Sequence, residues 1–396
     1  MFIELHILQN FSPSNLNRDD TGSPKDCVFG GFRRARISSQ CLKRAARSYF
    51  KQAKLVPAEN LAVRTKRIVE EVASRLTEND RNKELAASVV TLALAGVELA
   101  VKEDGKTQYL LYLGSLEIAR LVALCEKHWD ELAEVVKSQA EADEDDGDGA
   151  KTKKKGGKKK KKAAKDLVPD TVRKEMKELF GAPKAADLAL FGRMLADMVD
   201  KNIDAACQVA HAISTNEVSM EIDFYTAVDD LKPDDTQGAD MIGVVEFNSS
   251  CFYRYALVDV DKLVKNLQQD RDLARETTLA FIKASVEAVP TGKQNSMAAH
   301  NPPHYVRVTV REGGMAWNMA NAFVNPVRPP RGSERSLTEL SVDAIEVYQT
   351  QLERMYGTDG FLENISSVLN KGDGPSVPAL IEAIGAAIDR GAKEAP

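Results

Sequence analysis

The chain has 396 residues, 43% of them apolar and 29% charged, and carries a formal net charge of -5. That balance describes a folded protein with a sizeable core, large enough for two or three domains or for one core with insertions. No apolar run reaches the roughly 20 residues of a membrane span, and the opening MFIELHILQNF lacks the basic stretch of a signal peptide, so a cytoplasmic location without a membrane partner is expected.

Residues Phe2 to Phe11 alternate as a strand that Pro13 ends, and a polar loop, SPSNLNRDDTGSPKD, follows. From residue 25 to 54 come nine Lys or Arg against one acid, Asp26. A basic tail would not need the Phe29, Phe32, Ile37, Leu42, Tyr49 and Phe50 interleaved among them, so the segment reads as folded. From Ser38 or Ser39, either a good N-cap, Leu42, Ala45, Ala46, Tyr49 and Ala53 recur at helical spacing, while Lys43, Arg47, Lys51 and Lys54 occupy another face. Gly30 and Gly31 just before permit a sharp turn or a close approach to a ligand. Cations, a helix N-terminus and aromatics together suit a nucleic-acid backbone, with Arg33, Arg34 and Arg36 part of the same offer; a solvated basic helix is the bland alternative.

Residues 59 to 138 carry apolar positions at spacings of three, four and seven and read as helical. Six acids from Glu141 to Asp148 and ten lysines from Lys151 to Lys165 then follow with no apolar residue larger than alanine, a composition expected to be disordered over 140–165. Helical signals return over Asp170 to Leu179 and Ala185 to Val199. Strand signals follow over Ile242 to Val260 and His304 to Gly313, with a helix from Arg271 to Val289 between them, and Leu337 to Tyr356 and Val377 to Ile388 read as helices. Strands alternating with helices in this order predict an α+β fold with an antiparallel, ferredoxin-like or RRM-like sheet.

Five scattered cysteines without a C-x-x-C pair read as free thiols, and the prolines in HNPPH keep His300 and His304 from sharing a helical face, so neither a metal nor a cofactor is expected.

Five stretches, SPSNLNRDD, FGGFRRARISSQCLKRAAR, IDFYTAVDDL, EFNSSCFYRYA and NMANAFVNPV, occur in an order that resembles the CasC family, the repeated backbone subunit of type I-E CRISPR Cascade complexes. The resemblance runs from Met1 to about Val327 and is weakest in the helical insert and C-terminal segment. It implies an RRM-like palm (1–55, 195–213 and 244–335), a helical fingers insert (56–194), a β-hairpin thumb (214–243) and a C-terminal helical segment (336–396). It further implies a non-catalytic subunit that polymerises with copies of itself along a CRISPR guide RNA, beside other Cascade subunits, and presents bases to target DNA. By motif position, Asn17, Arg18, Lys25, Ser38, Gln40, Lys43 and Arg47 are the implied guide contacts, Met194 a wedge against bases, and Phe224, Tyr225 and Thr226 part of the thumb. Lys293 and Gln294 are additional backbone contacts in this scheme. Holding RNA by phosphates and sugars while base edges stay free is the physical requirement such residues meet.

A different class, a metal-independent endoribonuclease processing CRISPR transcripts, needs acid-base groups at a 2′-hydroxyl, for which His6 on the first strand and His211 on a predicted helical stretch are the candidates. A third reading makes the basic helix an interface for an acidic protein.

Overall fold

The computed structural model describes residues 1–145, 165–181, 184–227, 230, 241–369 and 374–394. Two compact units divide the chain, one of residues 1–55, 207–261 and 275–396, the other of 56–206 and 262–274.

The first unit is built on an antiparallel sheet. Its strands are β1 (Phe2–Ser14), β2 (Asp26–Phe29), β3 (Phe32–Ile37), β6 (Cys207–Val209), β7 (Ala212–Ser214), β8 (Glu221–Ala227), β9 (Met241–Asp259), β10 (Tyr305–Arg311) and β11 (Phe361–Val368). They lie in the order β11-β10-β1-β9-β7-β3-β2, with β6 and β8 also paired to β9. Leu5 of β1 stands between Val308 of β10 and Ala256 of β9. Both faces of β1 are covered, so Ile3 through Leu8 are buried without interruption even though the sequence alternates, and the polar positions Glu4 and His6 are buried as well.

Helix α1 (Ser39–Gln52) lies on one face. It starts where the Ser38 hydroxyl accepts from the Cys41 N–H at 3.3 Å, and it buries Leu42, Ala46 and Phe50, one residue per turn. Phe50 thus replaces the expected Ala45 and Tyr49 on the packed stripe. Before α1, β2 and β3 form a hairpin whose two-residue turn is Gly30-Gly31, at φ +61° and +86°, as a twisted two-residue turn requires. A side chain on Gly30 would meet the Val324 carbonyl at 2.2 Å. The two glycines therefore serve the fold.

β1 continues past Pro13 to Ser14 through a register shift between Phe11 and Ser14. Proline fits there because β10 pairs β1 only as far as Leu8, leaving Pro13 at an irregular, one-sided stretch. The short strands β6 and β7 flank His211, which lies in an extended connection and not in the expected helix. β9 serves two structures: Met241 to Phe247 pairs with β8 as a ribbon, and Asn248 to Asp259 pairs with β1.

The opposite sheet face carries a buried polar network. Glu4 accepts from Arg311 Nε at 2.6 Å, from the Tyr255 hydroxyl at 3.1 Å and from the Trp317 N–H. His6, 1% exposed, pairs through Nδ1 with the Tyr253 hydroxyl at 2.9 Å, and burial, then Arg307 and Arg311, push its pKa down to about 3. The unfolded chain takes up that proton near pH 6.5 while the folded one does not, so this residue's contribution rises with pH between the two values. Stability measured by urea unfolding should therefore fall from pH 6.5 to 5, above the carboxylate range, and His6→Gln should flatten that slope. A wild-type slope unchanged in the variant would remove His6 as its cause.

The second unit holds strands β4 (Ala62–Thr65) and β5 (Leu111–Gly114), paired antiparallel, and helices α2 (Ile68–Glu78), α3 (Lys83–Ala95), α4 (Ser115–Lys127), α5 (Trp129–Asp145), α6 (Asp170–Leu179) and α7 (Ala186–Phe191). Ile68, Val72, Leu76, Val89, Leu121 and Leu132 belong to its core, at the helical spacings read from the sequence. Helix α5 runs into the first residues of the acidic tract; the rest, 146–164, lies outside the described residues. Helix α7 ends at Phe191, short of the expected Val199, because Gly192 at φ +80° turns the chain into an extended bridge between Arg193 and Ile203. Helices α8 (Val260–Asn266) and α9 (Arg271–Glu287) begin the return segment, and α10 (Gln294–Met297), α11 (Leu337–Tyr356) and α12 (Val377–Glu394) complete the first unit. Among the described residues no helix is long and apolar enough to cross a membrane.

Candidate nucleic-acid interface

One edge of the first unit gathers several of the predicted residues through backbone pairing. Asn17 accepts from the Lys25 N–H at 2.9 Å by its carbonyl and from the Ser38 N–H at 2.8 Å by its side-chain oxygen. The Lys25 carbonyl in turn accepts from the Arg36 N–H at 2.9 Å. Arg36 donates Nε to the Asp26 carbonyl at 3.0 Å, and its Nη1 lies 3.0 Å from His211 Nδ1. Asn17, Lys25, Arg36, Ser38 and His211 are therefore held as one patch where loop, sheet edge and the N-terminus of α1 meet. For His211, burial and then the Arg36 and Lys25 charges lower the pKa, favouring the neutral ring that can accept from Arg36.

Lys43 and Arg47 continue from this patch on one flank of α1, four residues apart and half-buried, with Gln40 exposed on the turn before. Lys43 is close enough to Cys207 of β6 to act on that thiol, whose pKa burial raises to about 12 against the pull of the ammonium. Both cations keep their stems against the protein, which limits the rotamer entropy that binding an anion would cost. Arg18 is exposed, on a small bridge to Pro24.

The structure removes Arg34 from the expected set. It is fully buried between the rings of Phe29 and Phe32, with guanidinium carbon to ring centroid distances of 6.0 and 5.9 Å. Its two terminal nitrogens donate to the carbonyls of Ser214, Thr215, Phe323 and Val324 at 2.7 to 3.1 Å. Strand alternation points Arg34 inward where Arg33 points out. With its terminal nitrogens given to four carbonyls and the whole side chain sealed from solvent, this guanidinium cannot reach a phosphate. Arg34→Ala should cost on the order of 4 kcal/mol by stranding those acceptors, read as a lower urea midpoint. A change within about 1 kcal/mol would contradict this role.

Other expected residues are engaged in lesser ways. Arg33 is exposed but ion-paired with Asp26, which offsets its charge. Gln294 donates Nε2 to the Pro290 and Ala299 carbonyls at 3.0 and 3.3 Å, so it shapes its loop, and Lys293 caps α10 in a left-handed conformation. The ribbon of β8 and β9 exposes Ile222, Phe224, Ile242 and Val244 on a single face, with Thr226 in register on that face; Tyr225 lies on the other, its ring over Gly243. The ribbon's connection, residues 228–229 and 231–240, lies outside the described residues.

In the second unit Met194 is 81% exposed, yet the backbone on each side of it is pinned. Arg193, buried, donates Nη1 to both Glu117 oxygens at 2.8 and 2.9 Å and Nη2 to the Phe180 carbonyl at 2.7 Å, while the Leu195 N–H donates to Asn202 Oδ1 at 2.6 Å. Burial raises the Glu117 pKa against the pull of Arg193.

Sequence reasoning missed the cleft on the other flank of α1, of about 870 Å³, where Arg44, Ser48, Tyr49 and Gln52 face the Asn17–Gly22 loop. Extending the helical phase from Leu42 through Phe50 puts these residues there, a signal present in the sequence. It considered His211 for ribonuclease chemistry and did not foresee its contact with Arg36. His6, proposed for ribonuclease chemistry, is too buried to reach RNA.

The family model described as CT1975-like protein matches residues 3–383. Among solved structures, a chain of a "CRISPR RNA-guided surveillance complex, pre-nicking" is 32% identical, covering 98% of this chain and 100% of that one, with a TM-score of 0.79. A chain of a "CRISPR RNA-guided surveillance complex" is 28% identical, with coverage of 98% and 100% and a TM-score of 0.69. No curated protein matches. The chain belongs to the CT1975-like family.

Proposed function

We propose that this chain is the guide-RNA-binding backbone subunit of a CRISPR Cascade surveillance complex of type I-E. The observation that carries the reading is the patch of Asn17, Lys25, Arg36 and Ser38, continuous with the Lys43 and Arg47 flank of α1, in a chain similar over nearly its whole length to subunits of RNA-guided surveillance complexes. Donors and cations held by paired backbone can grip a phosphate chain at fixed spacing without reading bases.

In this reading residues 1–55, 195–213 and 244–335 form an RRM-like palm, for which the neighbouring order β10-β1-β9-β7 is support. Residues 56–194 are the fingers and present Met194; residues 214–243 are the thumb, whose exposed apolar ribbon face suits insertion at a kink in the guide. The C-terminal segment 336–396 contributes α11, β11 and α12. Copies of the chain line up along one guide beside other Cascade subunits, target DNA pairs with the presented bases, and the subunit itself catalyses nothing. The complex works in the cytoplasm.

Expressing the chain with its genomic neighbours and a CRISPR array, then sequencing the RNA that copurifies, tests this. Guide RNA of uniform length with several copies of the chain is expected. Protein free of RNA would overturn the reading in favour of an acidic-partner interface.

A further inference from the structure

Four of the largely buried arginines in this chain are matched to acceptors: Arg34 to four carbonyls, Arg193 to Glu117, Arg311 to Glu4 and Arg307 to Glu346. Arg254 is different. It stands in β9 opposite Ile7 and is 8% exposed. Its Nη1 donates to Gln9 Oε1 at 2.5 Å, and Gln9 passes its own amide to the Asn301 carbonyl at 2.7 Å, a neutral chain. Its Nε is buried with no hydrogen-bond partner, as are those of Arg34 and Arg193, but among the described residues the Arg254 side chain has Gln9 as its single acceptor and no carboxylate acts on the guanidinium. Burial lowers its pKa only to about 10, so the charge persists at neutral pH.

Next to Arg254, between sheet and helices α1 and α9, is a cavity of about 20 Å³ lined by Ile7, Lys43, Ala46, Phe281 and Ser285. That volume suits one water-sized species and excludes a phosphate or a carboxylate. A second cation, Lys43, and a hydroxyl, Ser285, border it. A buried charge without a counter-charge is costly, and a water satisfies a donor without offsetting the charge.

We propose that this cavity binds a monatomic anion, chloride in the cell, held by Arg254 with Lys43 and Ser285. The site shares Lys43 with the proposed guide-contact flank, but the buried charge of Arg254 needs balancing beneath α1 whether or not RNA lies outside.

Crystals of the unmodified full chain soaked in bromide test this. An anomalous peak between Arg254, Lys43 and Ser285 is expected. In solution, at constant ionic strength, the melting midpoint should rise with the logarithm of chloride concentration when chloride replaces gluconate, which is too large for the cavity. Arg254→Met should abolish that rise. A water at the position with no anomalous signal would overturn the proposal. So would a bromide peak without chloride-dependent melting, which marks an adventitious ion only. Should Arg254→Met fail to fold, the two measurements on the unmodified chain decide.

Discussion

Replacing Lys43 and Arg47 together by glutamine should weaken guide-RNA binding about 100-fold, at roughly 1.5 kcal/mol for each charge-assisted hydrogen bond to phosphate that the substitution removes. Both residues already make an interaction within the chain, so RNA exchanges one partner for another and each cation contributes at the low end of its range. The salt dependence separates this from a general loss of fit. For single-stranded nucleic acid each neutralised phosphate adds about 0.7 to the slope of log affinity against log salt, so the double variant should lose about 1.4. Glutamine keeps most of each half-buried stem in place, so in gluconate, where the anion site beside Arg254 is empty, the melting midpoint should change little. Filter binding of a guide-length RNA across a salt series measures affinity and slope together. A variant that binds as tightly as wild type, with the same slope, would place the phosphates elsewhere, and the Arg44 cleft on the opposite flank of α1 would be the next surface to test.

The basic segment was legible in the sequence because its charge is local and its apolar residues are periodic. Helix α1, its Ser38 cap and the long strand β9 follow from those patterns. The direction of each arginine was not legible. Arg33, Arg34 and Arg36 are adjacent in a run that also reads as preamble to a helix; only pairing with β2 and β7 makes it a strand and turns Arg34 inward. Strands of three or four residues, such as β4, β5, β6 and β7, are too short to show a period, and their neighbours in space come from distant sequence. β11 carries the same lesson: FLENISSV has a mixed pattern and is a strand because β10 offers it an edge. Arg254 escaped notice because FYRY looks like an alternating strand with one cation facing out, whereas a helix covers each face of that strand.

Met194→Ala should leave the melting midpoint unchanged, since the side chain is exposed, while, if Met194 is the proposed wedge, restoring stacking of the guide base beside it. A guide carrying 2-aminopurine at that position reports the change as a drop in fluorescence. The pair beneath it should behave in the opposite way. Glu117→Ala leaves Arg193 charged and buried without its carboxylate and should cost about 3–5 kcal/mol. Replacing both by methionine removes the stranded charge and should recover most of that stability. The doubly substituted protein nevertheless lacks the Arg193 donor to the Phe180 carbonyl, one of the bonds that fix the chain on the N-terminal side of Met194. It should therefore fold and bind guide RNA yet show the fluorescence drop of Met194→Ala. If it instead kept the wild-type signal, the ion pair would serve stability alone, and the Arg193–Ile203 bridge with the Leu195–Asn202 bond would suffice to present the wedge.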